Sequence, residues 1–320
     1  MEVETIIIKQ LHKPDLLTAL ELLDRRMTLP YREKQHLSTL SKGFEGEILF
    51  DSLMESYLNS EQYLVLNDLS LVIGNTSIQI DSLIITSDTI LLYEIKNYEG
   101  NYTDQASQFR TEYGQDIVSP ADQLKRTTTV FKKLVNQWDS TFPIVSHVLF
   151  INNHFFLYEA KKDSPFLFLP QLNGHFTSIN RKSFPLKARH HHLADRLLNE
   201  CEKELPYQRK LPYYAFKDLK KGLCCSSCGS FDLKNSTKVS RCSSCGYTIS
   251  LNAQILAEVR SFTFLFPKEQ LTCNVMYEWC GGAFSKRRIR AALSTAYTVE
   301  GFAKSSHYVK KLEEGNDVSR

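Results

Sequence analysis

The pentad Cys225-Ser-Ser-Cys228-Gly recurs unchanged as Cys242-Ser-Ser-Cys245-Gly, and no other feature restricts the fold of this chain as much. A C-x2-C pair puts two sulfurs on one tight turn, and the glycine that follows lets backbone amides approach the thiolates. Two such turns supply four soft ligands for a tetrahedral zinc. The thirteen residues between them, GSFDLKNSTKVSR, suit a β-hairpin. Disulfides are the alternative, disfavoured by a reducing compartment, and a thioredoxin-like redox motif would need a single pair in a βαβ setting. The pattern predicts a zinc ribbon over 206–255 with Cys225, Cys228, Cys242 and Cys245 as ligands. Cys224 is then the spare thiol, able to replace Cys225 if the register slips. Four cysteines leave the metal no open position, so this zinc is structural.

With 320 residues, 42% of them hydrophobic, the chain can bury one substantial core and a smaller second unit. No apolar run approaches the roughly 20 residues of a membrane span. In MEVETIIIKQLHK, acidic residues precede an apolar run too short for a secretory signal, so the expected location is the cytoplasm, with no membrane partner. The net charge of +3 is unevenly placed: residues 205–320 hold 18 Lys and Arg against 9 Asp and Glu, whereas 1–204 hold 21 against 27. A basic C-terminal part suits a polyanion; a lysine-rich solvated surface is the other reading.

Residues 1–40 read as an N-terminal helical segment, with LLTALELLDRR as an amphipathic stretch, and GFEGEILFDSLMESYL as a second helix. Alternating strands follow over 62–97. Ser119-Pro120 marks the start of a helix through ADQLKRTTTVFKKLVNQW, FPIVSHVLFIN reads as a buried strand, and RHHHLADRLLNECEKEL as a closing helix. Strands and helices mixed around one sheet make an α/β (α+β) domain over 41–205. His190, His191 and His192 point in different directions on a helix, which excludes a shared ion and predicts a solvated face. Over 256–320, Thr272 is placed to cap a helix ending at Trp279, and Gly281-Gly282 to make a turn. Ser285 then caps a helix bearing Lys286, Arg287, Arg288 and Arg290, with 297–308 as a β-wing around Gly301. This outlines a helix-turn-helix whose basic helix meets nucleic acid, against the alternative of an α-hairpin with a solvated basic face. Cys273 and Cys280 read as buried small apolar residues.

The stretch QIDSLIITSDTILLYEIKN, residues 79–97, interrupts two apolar runs with three charges. If Ser87-Asp88 is a hairpin tip and Thr86 pairs with Thr89, the register sets Asp81 opposite Glu94, with Cβ atoms about 4.5–5.5 Å apart. Two carboxylates that close repel unless a cation lies between them. Glu94 and Lys96 share a strand face, so the lysine stands beside the acidic pair. Mg2+ or Mn2+ held by two carboxylates, with Lys96 placed to position a water or neutralise charge on a phosphodiester, makes a hydrolytic site. The alternative is a surface salt bridge on an amphipathic strand.

The order GFEGE, QIDSLIIT, LLYEIKN and a helix with SPADQLKR resembles the nuclease-related domain (NERD), a branch of the PD-(D/E)XK nuclease superfamily, over roughly 40–160. The resemblance implies a mixed sheet flanked by helices. It makes Asp81 and Glu94 metal ligands, the Ile95 carbonyl a further ligand, and Lys96 the catalytic lysine. It further implies that Glu47 is the helical acidic residue, that Gln123 is the glutamine on the helix after the core strands, and that Gly43 and Gly46 begin the first helix. Tyr98 stands where the family often has tryptophan. The expected function is a metal-dependent nuclease acting on nucleic acid, DNA in preference. The alternative is a nucleic-acid-binding or regulatory protein with an idle nuclease-like core.

Overall fold

The computed structural model describes residues 6–58, 62–105, 108–138, 142–182, 184–201, 207–302 and 305–311. In chain order the first elements are β1 (Ile6–Lys9), α1 (Asp15–Arg26), α2 (Tyr31–Tyr57), β2 (Leu64–Ile73), β3 (Thr76–Ile85), β4 (Ile90–Lys96), β5 (Gly100–Gln105), β6 (Gln108–Thr111) and β7 (Asp116–Ile117). There follow α3 (Pro120–Asn136), β8 (Ile144–Phe150), β9 (Phe155–Tyr158), β10 (Phe166–Phe168), α4 (Leu172–Lys182) and α5 (Ala188–Glu200). The remainder is β11 (Leu233–Asn235), β12 (Val239–Cys242), β13 (Thr248–Ser250), α6 (Leu251–Leu265), α7 (Cys273–Trp279), α8 (Lys286–Ala296), β14 (Tyr297–Glu300) and β15 (His307–Lys310). The chain forms two compact units, Met1–Pro14 with Ser38–Pro206, and Asp15–Leu37 with Tyr207–Arg320.

The first unit is built on a six-stranded mixed sheet in the order β1-β2-β3-β4-β8-β10. Strand alternation sends β3 and β4 side chains to two different cores. Leu83, Ile85, Ile90 and Leu92 join Phe131 and Val135 of α3 and Leu197 of α5, whereas Ile84, Leu91, Tyr93 and Ile95 join Phe50 and Met54 of α2 and Phe176 of α4. A second sheet, β7-β6-β5-β9, closes an aromatic cluster with Phe109, Phe150 and Phe155 at its centre.

Several elements differ from their sequence reading. Ile6–Lys9, placed in a helical segment, is a strand running parallel to β2, because Ile6 and Ile7 pair with Leu64 and Val65. The helix containing GFEGE begins at Tyr31, just after Pro30, so Gly43 and Gly46 lie inside it rather than at its start. Gly46 is there for proximity: a Cβ would come within 2.9 Å of Asn97 Cβ and 3.3 Å of Ile151 Cγ2. His190 is buried, not solvated; its ring accepts from Lys187 N at 2.7 Å and lies 3.1 Å from the Ser87 carbonyl, while His191 and His192 are exposed. The strands β5 and β6 escaped the reading because GNYTDQ and QFRT are polar, whereas β7 and β9 are only two and four residues long.

In the second unit, α1 meets α6 through a buried ion pair, Arg26 to Glu258 at 2.6 Å, with side-chain exposures of 1% and 2%. Arg26 also donates to the Lys220 carbonyl at 2.7 Å and lies 3.9 Å from the ring centre of Trp279. Glu258 accepts from Cys224 N at 2.6 Å and Gln254 Nε2 at 3.0 Å. The N-terminal residues read as a separate segment are thus divided, with Asp15–Leu37 grouped with the C-terminal elements. Thr272 accepts from Val275 N and Ser285 from Arg288 N, capping α7 and α8 where the sequence placed the caps. Gly281 and Gly282 make the turn with φ of +62° and +71°, and β14 pairs with β15 around Gly301. Cys280 is buried and Cys273 half-buried.

Removing one partner of such a pair strands a buried charge, at a cost of about 3–5 kcal/mol. Arg26→Ala is therefore expected to destabilise this unit by that amount in urea denaturation followed by the fluorescence of Trp279, which loses the guanidinium over its ring.

Candidate functional site

The β3–β4 hairpin forms in the expected register: Thr86 N donates to Thr89 O at 2.9 Å, and Ile85 pairs with Ile90, Ile84 with Leu91, Leu83 with Leu92 and Ser82 with Tyr93. Pairing stops there, one step before Asp81 and Glu94. The ladder on the other side of β3 is interrupted at the same place, running Asn67 with Ser82 and Leu69 with Ile80 and omitting Asp68 and Asp81 between them. Asp68 has φ +51°, a left-handed conformation uncommon outside glycine that breaks the pleat of β2. The strand that carries Asp81 is therefore unpaired on both sides at this one residue. Its carboxylate fills the gap toward β4, accepting from Ile95 N at 2.7 Å.

On the same face, Glu94 is buried and its Oε1 accepts from Lys96 Nζ at 2.7 Å and from Gln123 Nε2 at 2.6 Å. Lys96 also donates to Gln123 Oε1 at 3.3 Å. Gln123 reaches them because Pro120 starts α3 immediately upstream, with Ser119 extended. Beside Lys96 lies the aromatic cluster, in which Tyr98 stacks on Tyr102 with ring centres 5.4 Å apart. Tyr98 thus fills a packing role open to any aromatic residue.

These groups act on one another electrically. Burial pushes the Asp81 carboxyl well above its usual range, and the Glu94 and Glu47 carboxylates push it further, against the Ile95 N–H and Lys96. Glu47 rises to about 7, first through burial and then through Asp68 and Glu94, with Lys96 opposing. Burial alone would lower Lys96, but the charge and hydrogen bond of Glu94 outweigh it and raise the ammonium above its ordinary value. Asp81 and Glu47 resist ionisation first because they are buried and then because other carboxylates stand near them, and a hard dication would relieve that charge, so the residues fit Mg2+ or Mn2+. The sequence reading missed Asp68. Its signal was an Asn-Asp pair, two turn formers, inside the apolar run LVLNDLSLVI.

In the other unit, Cys225 Sγ lies 3.7 Å from Cys245 Sγ and Cys228 Sγ 3.6 Å from Cys242 Sγ, and all four sulfurs lie within 4.8 Å of one another. A zinc–sulfur bond of about 2.3 Å places neighbouring sulfurs of a tetrahedron roughly 3.8 Å apart, whereas a disulfide needs about 2.05 Å. The two pentads fold alike: Gly229 N donates to Cys225 O at 2.9 Å and Gly246 N to Cys242 O at 3.0 Å, with glycine φ values of +75° and +76°. The Cys242 thiol is lowered to about 6, most strongly by the backbone N–H of Cys245, while the Cys228 thiol, which the Ser230 N–H would lower, is raised to about 12 by the neighbouring thiols, so the crowded sulfurs hold their protons unequally. Cys224 stands outside the group, its Sγ directed to the Gly229 carbonyl at 3.3 Å. The cluster is compatible with a zinc ribbon. Of the basic residues on α8, Lys286, Arg287 and Arg290 are exposed, while Arg288 is half-buried, with Nη1 3.5 Å from the Thr237 carbonyl.

A mixed sheet carrying Asp81, Glu94 and Lys96 on two adjacent strands, flanked by helices that bring Glu47 and Gln123, is a PD-(D/E)XK-like fold. Residues 42–152 match the family model of the nuclease-related domain, and this part of the chain is such a domain. No curated protein and no solved structure matches the chain. No helix among the described residues is long and apolar enough to cross a membrane.

Freshly reduced protein is expected to contain one zinc per chain, released when Cys225 and Cys242 are both replaced by serine; metal analysis checks this. A second expectation concerns pH. Because Glu47 and Asp81 have folded-state values above their unfolded ones, near 4, they contribute stability at low pH that is lost as pH rises through about 4 to about 7. Thermal unfolding of protein without added Mg2+ should show this decline, and Glu47→Gln should flatten it.

Proposed function

We propose that the first unit is a metal-dependent nuclease that hydrolyses phosphodiester bonds of nucleic acid, DNA in preference, in the cytoplasm. The observation that carries this reading is the acidic pair held at the double break in sheet pairing, with Lys96 bonded to one of its members. The Asp81 and Glu94 carboxylates and the Ile95 carbonyl would hold Mg2+ or Mn2+, which when bound supplies positive charge to a phosphate and to a water near it. Lys96 keeps its proton at neutral pH, since its ammonium is stabilised by Glu94, so it acts as a fixed cation that offsets charge developing on the phosphodiester. Gln123 holds both Glu94 and Lys96 and so positions them. Glu47, half ionised near neutral pH, is a group that can hold or release a proton at the edge of the site. In the second unit Lys286, Arg287, Arg288 and Arg290 meet phosphates, and the zinc ribbon is structural. The proposed domains are 41–205 for the nuclease-like part, 206–255 for the ribbon and 256–320 for the helix-turn-helix.

One observation favours the alternative of an idle, nucleic-acid-binding core: Glu94 Oε1 is already engaged by Lys96 and Gln123. Cleavage separates the two. With Mg2+ or Mn2+, the wild type is expected to cut DNA. Glu94→Ala and Lys96→Ala should each lower the rate at least about a hundredfold with nucleic-acid binding retained. Binding without cleavage under either metal supports the idle core, and mutants as active as the wild type place the activity elsewhere.

A further inference from the structure

The tip of the β14–β15 hairpin presents an aromatic ring that the nuclease reading leaves without a task. At Gly301, φ is +81° and a Cβ would come within 2.6 Å of the Ser305 carbonyl oxygen, so this bend requires glycine. At the next residue, the Phe302 carbonyl accepts from Ser305 N at 3.1 Å and from Ser305 Oγ at 2.8 Å. Phe302 is nevertheless 91% exposed, more than any other large hydrophobic residue among those described.

The hairpin is also fastened to the helices beside it. Tyr308 N donates to the Leu271 carbonyl at 2.8 Å, Lys311 N to the Ala296 carbonyl at 3.1 Å, and Lys311 Nζ to the Ser294 carbonyl at 3.0 Å. Cross-strand pairing puts Tyr297, Val299, Tyr308 and Lys310 on one face. Burial pushes the Tyr308 phenol up and Cys273 adds to this, while Arg290 of α8 opposes them, so the basic helix and this face of the hairpin adjoin. Val299 continues the apolar surface with 57% exposure. Exposed cations on a helix next to a hairpin that carries an exposed apolar ring match a partner that offers both phosphates and stacked flat bases. A major groove about 12 Å wide admits a helix, and apolar side chains wedge into base steps from the minor groove.

We propose that α8 and the β14–β15 hairpin form one duplex-DNA surface, in which Lys286, Arg287 and Arg290 hold phosphates and Phe302 stacks against a base step in the adjoining minor groove. This rests on the reading of the second unit as nucleic-acid-binding. The ring adds affinity by stacking and touches no phosphate, so its contribution is insensitive to salt, unlike that of α8.

The test uses the full-length, zinc-loaded protein without added Mg2+ and a short mixed-sequence duplex carrying 2-aminopurine, with the matching single strand as comparison. Phe302→Ala is expected to weaken duplex binding about tenfold with an unchanged slope of log affinity against log salt. Phe302→Trp should retain wild-type affinity, and Arg290→Ala should flatten the slope by about one. The wild type should raise 2-aminopurine fluorescence, reporting an unstacked step, and Phe302→Ala should not. If the wild type binds and Phe302→Ala binds equally well, the wing assignment is overturned while the nucleic-acid reading stands. An equal loss on single strand and duplex overturns the duplex assignment. No binding by the wild type to either probe overturns both readings.

Discussion

Everything at the acidic site depends on the loss of backbone pairing around Asp81. A central strand normally spends both edges on its neighbours, and a buried amide or carbonyl left over is costly. Here β2 turns away at Asp68 and β4 ends its ladder with β3 at Tyr93, so the backbone around Asp81 is left open on two sides. The Asp81 carboxylate answers one orphan, the Ile95 N–H. That bond orients the carboxylate beside Glu94 and explains why two acids persist at the heart of an apolar sheet.

The cations and amides around the pair then complete a polar island. Lys96 and Gln123 take up Glu94, and Gly46 lets α2 run close enough to the ends of β4 and β8 for Glu47 to join the field. The aromatic cluster of Phe109, Phe150 and Phe155 lies beside Lys96. Burial pushes the Asp81 and Glu47 carboxyls up and their acidic neighbours push them further, while the charge and hydrogen bond of Glu94 raise the Lys96 ammonium against the lowering effect of its own burial.

The second unit holds its polar groups by different devices. Four sulfurs replace a core in the ribbon, and a single buried pair, Arg26 with Glu258, links α1, α6 and the segment leading into Cys225. Trp279 covers the guanidinium with its ring, which offsets part of the solvation that Arg26 loses. This ties a segment near the start of the chain to elements more than two hundred residues later, a pairing that no local pattern announces.

Local chemistry was legible wherever a short-range rule governs. The hairpin register followed from Ser87-Asp88, the caps at Thr272 and Ser285 from hydroxyls ahead of helical runs, and the four-sulfur group from the pentad spacing. The sequence by itself therefore determined the order of Asp81, Glu94 and Lys96, their shared face, and the cysteine cluster, because turn geometry and strand alternation act within a few residues. Only the tertiary structure decided that Asp68 breaks the ladder opposite Asp81, that His190 is buried, that Ile6–Lys9 is a strand, and that Arg26 meets Glu258. Each of these depends on partners distant in the chain, where burial and pairing energies outweigh local preference.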